Sequence, residues 1–491
     1  MNHLALLTDL YQLTMMQGYF RQGFQRREGV FDLFFRALPG GSGYALAAGL
    51  EQAIAYLEDL SFSAADIAYL RGLSLFDENF LAALYALRFH GDVDALPEGS
   101  PVFPHEPILR VKAPLLEAQL IETALLNIVN HQTLIATKAS RIVAAAGGGA
   151  VMEFGLRRAQ GPDAGIFGSR AAYIGGCIST SNVLAGQRFG IPVAGTMAHS
   201  WVQSFKREID AFRAYAEVFP EHSLFLVDTY NVLRSGVPNA IQAGLELEAQ
   251  GHHFLGIRID SGDLAYLSRE ARKMLDAAGL TKALIVGSND LNEDTIWSIR
   301  NQDAAIDTWG VGTHLITSQG ASALGGVYKL AAEGVDGYFE PRMKVSENTT
   351  KITNPGIKKI VRFYDRQGKA LADLIALEEE SFPEDQPLTI FDALQGWKQK
   401  TLHDFTTRDL LVPVFRAGQC VYARPELPDI QQYARRELDT LWDEVKRLTN
   451  PHTYIVDLSA KLMALRERQL LKINAEMSVP NENNLAERLK S

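Results

Sequence analysis

Polar and apolar positions change their rhythm along this chain, and the changes divide it. Over 4–19 the apolar residues Leu10, Leu13 and Met16 recur at helical spacing, with Thr8 a candidate N-cap. Residues 29–36 alternate in part and read as a strand, followed by a Pro-Gly-Gly turn at 39–43. An amphipathic helix is predicted over 46–60, and short strands broken by prolines over 91–108. Residues 1–113 therefore read as a mixed α+β domain. Pro114 opens a long helical segment predicted over 115–136, since proline suits the first helical position.

A regular alternation then begins. Strand-type runs at 150–152, 171–174, 191–194, 224–227, 254–259, 283–286 and 305–311 alternate with helical patterns at 181–188, 204–216, 240–248, 264–278 and 293–301. Such alternation argues for parallel β/α architecture. Past Leu330 it weakens. Strands are expected at 338–345 and 360–364 in a segment returning to the first domain, and helices at 430–448 and 456–471. The polar tail from Ser478 onward reads as frayed.

Glycine and polar residues gather where the predicted strands end. They include Glu153 to Arg157, Gly175 to Thr180, Gly195-Thr196 with His199, Asp228 to Asn231, Arg258 to Asp263, Gly287 to Asp290 and Gly310 to Thr313. In a β/α barrel, catalytic groups come from those ends, and the last loops often cradle a phosphate. Single members of the series also suit ordinary roles: Asp263 suits a helix N-cap and Gly310-Val-Gly312 a plain turn. Arg157, Arg158, Lys138 and Arg258 offer cations on or near this rim; Asp228 and Asp260 offer carboxylates for magnesium-bearing polyphosphate or sugar hydroxyls.

Composition narrows the partners. The 491 residues are 47% hydrophobic and 22% charged with a formal net charge of -10, which argues against a general nucleic-acid or anionic-membrane surface. The two cysteines, Cys177 and Cys420, lie in no zinc spacing, and reduced thiols in a cytoplasmic protein are expected. Neither a signal peptide nor a membrane span is expected.

The motifs Leu6-Leu-Thr-Asp-Leu-Tyr-Gln-Leu-Thr-Met15, Glu153-Phe-Gly-Leu-Arg-Arg-Ala-Gln-Gly161, Ser181-Asn-Val-Leu-Ala-Gly186, Gly195-Thr-Met-Ala-His-Ser200, Asp228-Thr-Tyr-Asn231, Arg258-Ile-Asp-Ser-Gly-Asp263 and Gly325-Gly-Val-Tyr-Lys-Leu330 resemble, in order, those of nicotinate phosphoribosyltransferases. The resemblance implies a type II phosphoribosyltransferase fold. In that fold an irregular α/β barrel (114–335) stands beside an α+β open-sandwich domain (1–113, rejoined by 336–425), with a C-terminal helical extension (426–491). It implies synthesis of nicotinate mononucleotide and diphosphate from nicotinate and 5-phosphoribosyl 1-diphosphate in NAD biosynthesis. It also implies ATP hydrolysis, a need for Mg2+ and a head-to-tail homodimer.

The residue roles implied are as follows. His199 is phosphorylated by ATP and, with Asp228, Arg258 and Asp260, forms the catalytic set. Phe154 and a partner's Tyr11 stack on the pyridine ring, and Leu156, Arg157, Ser179 and Arg258 complete the nicotinate site. Arg157, Ser200, Asp228, Asp260, Asn289, Gly310, Gly312 and Thr313 hold the phosphoribosyl diphosphate. Magnesium binds through diphosphate, with Asp228 and Asp260 as candidate ligands. Amide-specific relatives carry an aspartate in the loop matching 179–182, which is uncharged here, so nicotinate is expected over nicotinamide. The alternatives are a nicotinamide phosphoribosyltransferase and a catalytically silent ligand sensor of the same fold.

Overall fold

The computed structural model describes residues 4–347, 351–392, 395 and 397–478; the tail from 479 lies outside them. One seven-stranded sheet runs in the order Tyr338–Pro341, Gly326–Val335, Glu28–Phe35, Leu109–Pro114, Asp92–Ala95, Val412–Arg416, Gln419–Cys420. In Glu28–Phe35 every residue from Gly29 onward is buried, so its partial alternation separates no inside from an outside.

A six-stranded parallel sheet forms the centre, in the order Ser179–Thr180, Ala150–Glu153, Thr308–Val311, Leu284–Ser288, Gly256–Ile259, Leu224–Leu226. It curls into a half-barrel, and all its strand ends point to one rim. The strand expected at 191–194 shrinks to a single parallel bridge between Thr180 and Val193. Pro192 accepts from Thr180 but, lacking an N–H, cannot donate onward. The strand expected at 171–174 is instead the end of the helix Pro162–Ile174, which Pro162 opens at its first turn. Every residue from Gly165 to Ile174 is buried. An apolar run buried on all sides carries no period that separates helix from strand.

Other boundaries moved for local reasons. The first helix spans Leu10–Arg21. Thr8 does not cap it; its hydroxyl donates to the Leu120 carbonyl at 3.2 Å. Leu13 and Met16 are buried, whereas Leu10 is exposed. The helix expected over 46–60 is Leu50–Glu58, preceded by the short strand Ala45–Leu46. Gly49, at φ 104°, turns the chain between them. The long helix breaks at Ile121 into Leu115–Leu120 and Glu122–Ala146. The helix expected over 204–216 is Glu208–Val218, and a separate short helix, His199–Gln203, precedes it. At the C-terminal end, Leu427–Thr440 and Asp443–Lys446 are separate helices, and Val456–Leu458 is a strand leading into the helix Ala460–Ser478.

That strand completes a third sheet, ordered Gln399–Leu402, Leu388–Phe391, Val456–Leu458, Ala370–Leu377, Lys358–Tyr364, Thr406–Asp409. Beneath it Arg362 and Asp373 form a fully buried bidentate pair at 2.6 and 2.8 Å. Glu106 joins this cluster. One of its oxygens accepts from the Phe103 N–H, and the other has no hydrogen-bond partner. Burial, and then the Asp373 carboxylate beside it, pushes Glu106 well above the ordinary carboxylate range. A raised folded-state pKa contributes stability below the ordinary range, and that contribution is lost as pH rises through the raised value. Glu106→Gln is therefore expected to flatten the decline of the melting temperature as pH rises above the ordinary carboxylate range. Parallel melting profiles for the two proteins would contradict this.

Candidate active site

On the rim of the parallel sheet lies a cavity of about 390 Å3. Its walls include Phe154, Leu156, Arg157, Ser181, Thr196, His199, Arg258 and Asp260. Phe154 follows the strand Ala150–Glu153, and its ring lies against Gly310; a Cβ there would meet ring carbons at 2.7 and 2.8 Å. Gly310 is thus explained by the aromatic floor it admits. Glu153 points inward, accepting from the Gly155 N–H, from Ser169 at 2.9 Å and from Thr180 at 2.5 Å. Burial raises its pKa, and its bonds brace the loop under Phe154 from within.

Arg258 is held from several sides. Its Nε donates to Ser288 Oγ at 2.8 Å, one Nη to Asp260 at 2.8 Å and the other to Thr196 Oγ1 at 3.3 Å. Ser288 in turn donates to the same Asp260 oxygen. The guanidinium carbon stands 5.4 Å from the Phe154 ring centroid. A cation fixed above an aromatic plane suits a flat ring bearing a carboxylate. Ser288 is engaged inside the protein and is not a free phosphate donor.

His199 opens the short helix His199–Gln203. Its Nδ1 lies 3.2 Å from Thr229 Oγ1 and its Nε2 3.9 Å from Asp228 Oδ1. The Asp228 side chain is 1% exposed. Its Oδ2 accepts from Ser261 at 2.6 Å, while Oδ1 has no hydrogen-bond partner. The two rim aspartates, alike in sequence, are divided: Asp260 serves Arg258, and Asp228 faces His199.

Several expected members stand outside this cavity. Tyr11 is half exposed on the N-terminal helix. Ser179 is buried with its hydroxyl unpartnered, and Ser181, two residues on, is the one that lines the wall. Asp228, Ser200, Asn289, Gly310, Gly312 and Thr313 do not line it either, and Asn289 and Asp290 take positive φ of 106° and 28°. Asp263 caps the helix Leu264–Ala277 through the Tyr266 N–H, its ordinary role. Lys138 lines a different cavity and pairs with Glu293 at 2.7 Å. The sequence offers Ser288 as a hydroxyl donor to phosphate, whereas it binds Arg258 and Asp260; Thr196 and Ser181 have no individual role in the sequence reading, and hydroxyls inside the rim motifs were the available signal.

A family model described as nicotinate phosphoribosyltransferase N-terminal domain matches residues 6–130, the family model proper matches 150–338, and a C-terminal domain model matches 357–466. The chain belongs to the nicotinate phosphoribosyltransferase family. It is 47% identical to the nicotinate phosphoribosyltransferase of Bacillus subtilis over 475 residues, covering 96% of each chain. It matches the crystal structure of human nicotinic acid phosphoribosyltransferase with a TM-score of 0.83 and 35% identity, over 94% of this chain and 99% of that one. A nicotinate-nucleotide pyrophosphorylase from Pyrococcus furiosus shares the fold at TM-score 0.68 and 23% identity, over 89% of this chain and 95% of that one. Every residue lining the cavity around Phe154 and Arg258 falls within the 150–338 segment that the nicotinate phosphoribosyltransferase family model matches.

Proposed function

We propose that the chain transfers the phosphoribosyl group of 5-phosphoribosyl 1-diphosphate to the ring nitrogen of nicotinate, releasing nicotinate mononucleotide and diphosphate for NAD biosynthesis. The observation that carries this is Arg258, locked over the Phe154 ring in a cavity whose lining carboxylate, Asp260, is already paired. The pyridine ring stacks on Phe154 with its carboxylate on Arg258 and the Thr196 hydroxyl. Leu156 and Arg157 close the side, and the uncharged loop 179–182, whose Ser181 lines the wall, has no acid to repel the carboxylate. The nitrogen lone pair attacks ribose C1 and the bond to diphosphate breaks, the diphosphate keeping the electron pair. Positioning and charge stabilisation dominate such a displacement.

The phosphate end of the sugar fits the loops where Asn289, Gly312 and Thr313 follow the last strands, with Gly310 inside the strand Thr308–Val311 and Ser200 in the helix His199–Gln203 as further members. Magnesium would neutralise charge on the leaving diphosphate. Asp228 fits it, having a buried unpartnered oxygen, whereas Asp260 is spent on Arg258 and Ser288. Among the described residues no group of three or more His, Cys, Asp or Glu is placed to hold a metal ion. His199 accepts a phosphoryl group from ATP, coupling hydrolysis to synthesis. The test is product formation from nicotinate against nicotinamide, in magnesium, with and without ATP. A clear preference for nicotinate and stimulation by ATP are expected; comparable kcat/KM with nicotinamide would refute the assignment.

The working unit is a head-to-tail homodimer in which the partner's Tyr11 covers the ring opposite Phe154. Support comes from the exposure of Tyr11, Leu7, Leu10 and Met15 on one N-terminal segment. Mixing inactive Tyr11→Ala and Arg258→Met chains is expected to restore one competent site per mixed dimer. No recovery after mixed refolding would count against shared sites. The enzyme works in the cytoplasm, a reading supported by two free cysteines, of which Cys177 is buried. No described helix is long and apolar enough to cross a membrane.

A further inference from the structure

His199 is gripped by two neighbours from the Asp228-Thr-Tyr-Asn231 motif. Its side chain is 41% exposed, so packing alone does not stop the ring from turning about its last torsion. Thr229 reaches Nδ1 at 3.2 Å, while the preceding residue, Asp228, faces Nε2 at 3.9 Å. Successive residues of an extended strand point to opposite sides. The chain leaves the strand Leu224–Leu226 and bends at Thr229, so that both side chains meet one imidazole. Ser261, from the loop after the neighbouring strand, holds the far oxygen of Asp228 at 2.6 Å. The carboxylate is therefore fixed before any ligand arrives.

We propose that Thr229 is a positioning residue for His199: its hydroxyl oxygen accepts from Nδ1–H and fixes the plane of the imidazole, so that the unprotonated Nε2 is presented for phosphorylation. This rests on the reading of His199 as the phosphate acceptor. In that step the unprotonated ring nitrogen forms a bond to the γ-phosphorus of ATP. The bond from that phosphorus to the β,γ-bridging oxygen breaks, and the oxygen leaves on ADP with the electron pair. The positive charge left on the phosphorylated ring faces Asp228. A ring free to rotate would offer the wrong nitrogen for part of the time.

The experiment uses the full chain and Thr229→Val, which keeps the shape and removes the hydroxyl, with Thr229→Ser as the rescue. Ring 15N shifts of selectively labelled histidine read the His199 tautomer directly. Quenched reactions with γ-labelled ATP read formation of acid-labile phosphohistidine. The unaltered protein is expected to hold one tautomer and Thr229→Val a mixture. Partners that orient such a ring are typically worth about 10- to 100-fold in activity, and phosphorylation should slow by that factor with the KM for nicotinate unchanged. Thr229→Ser should restore both readouts. An unchanged tautomer ratio or an unchanged phosphorylation rate in Thr229→Val would overturn the proposal, as would failure of serine to rescue. If the tautomer shifts as expected but the unaltered protein takes no phosphate from ATP, the acceptor role of His199 fails and the positioning role of Thr229 stands.

Discussion

Arg258→Met is expected to lower kcat/KM for nicotinate by roughly 30- to 1000-fold, about 2–4 kcal/mol, the usual cost of losing a charge-assisted pair in a closed site. The loss has two parts. The carboxylate of the substrate loses its cation. Asp260 also loses its partner and becomes a free negative charge beside the Phe154 ring, held only by Ser288. That charge repels nicotinate but not nicotinamide, so the preference between the two substrates should narrow more than the loss of a neutral contact would allow. Arg258→Lys should recover little, because an ammonium cannot reach Ser288, Asp260 and Thr196 together from one planar fork. Steady-state kinetics with both substrates decides it. Equal losses for nicotinate and nicotinamide would show that Arg258 acts on the phosphoribosyl side instead.

Arg170→Met should cost about 3–5 kcal/mol of stability, the range seen when one member of a buried ion pair is removed. Arg170 stands on the helix Pro162–Ile174, packed against the half-barrel, and its side chain is 1% exposed. It reaches back to the first segment of the chain, donating to both oxygens of Glu98 at 2.7 Å and to Glu51 at 2.5 Å. Glu98 in turn accepts from the Gly49 N–H at 2.6 Å, the glycine that turns the chain into the helix Leu50–Glu58. Coulombic attraction and hydrogen bonds from Arg170 outweigh burial and hold Glu98 below its ordinary range. Without the guanidinium, Glu98 is a buried carboxylate with no counterion. Chemical denaturation read by tryptophan fluorescence would measure the change. An unchanged midpoint would mean that Glu98 simply takes up a proton at little cost.

Much of the site was legible because strand ends announce themselves locally. A run of apolar residues followed by glycine and polar residues marks the rim of a parallel sheet, and Phe154, Leu156, Arg157, His199, Arg258 and Asp260 do meet in one cavity. The alternation of runs named the architecture, and the ordered motifs named the family. The misread elements share a cause. The run at 171–174 is buried on every side and the run at 191–194 is interrupted by Pro192, so neither carried a period from which its geometry could be read.

Roles within the cavity were a different matter. Asp228 and Asp260 end adjacent strands in the same way, and nothing local distinguishes the one that braces an arginine from the one that faces a histidine. Ser179 opens its two-residue strand and Ser181 is the first residue past it, and nothing local says which hydroxyl reaches the cavity. Thr196 meets Arg258 across 62 positions of sequence, and Ser288 meets it across 30. Period and turn chemistry are properties of neighbours along the chain, and they settled that His199 and Arg258 stand at the barrel's rim. Which hydroxyl holds which charged group depends on how loops from separate strands pack over that rim, so the support of His199 by Thr229 and of Arg258 by Ser288 exists only once the sheet has curled.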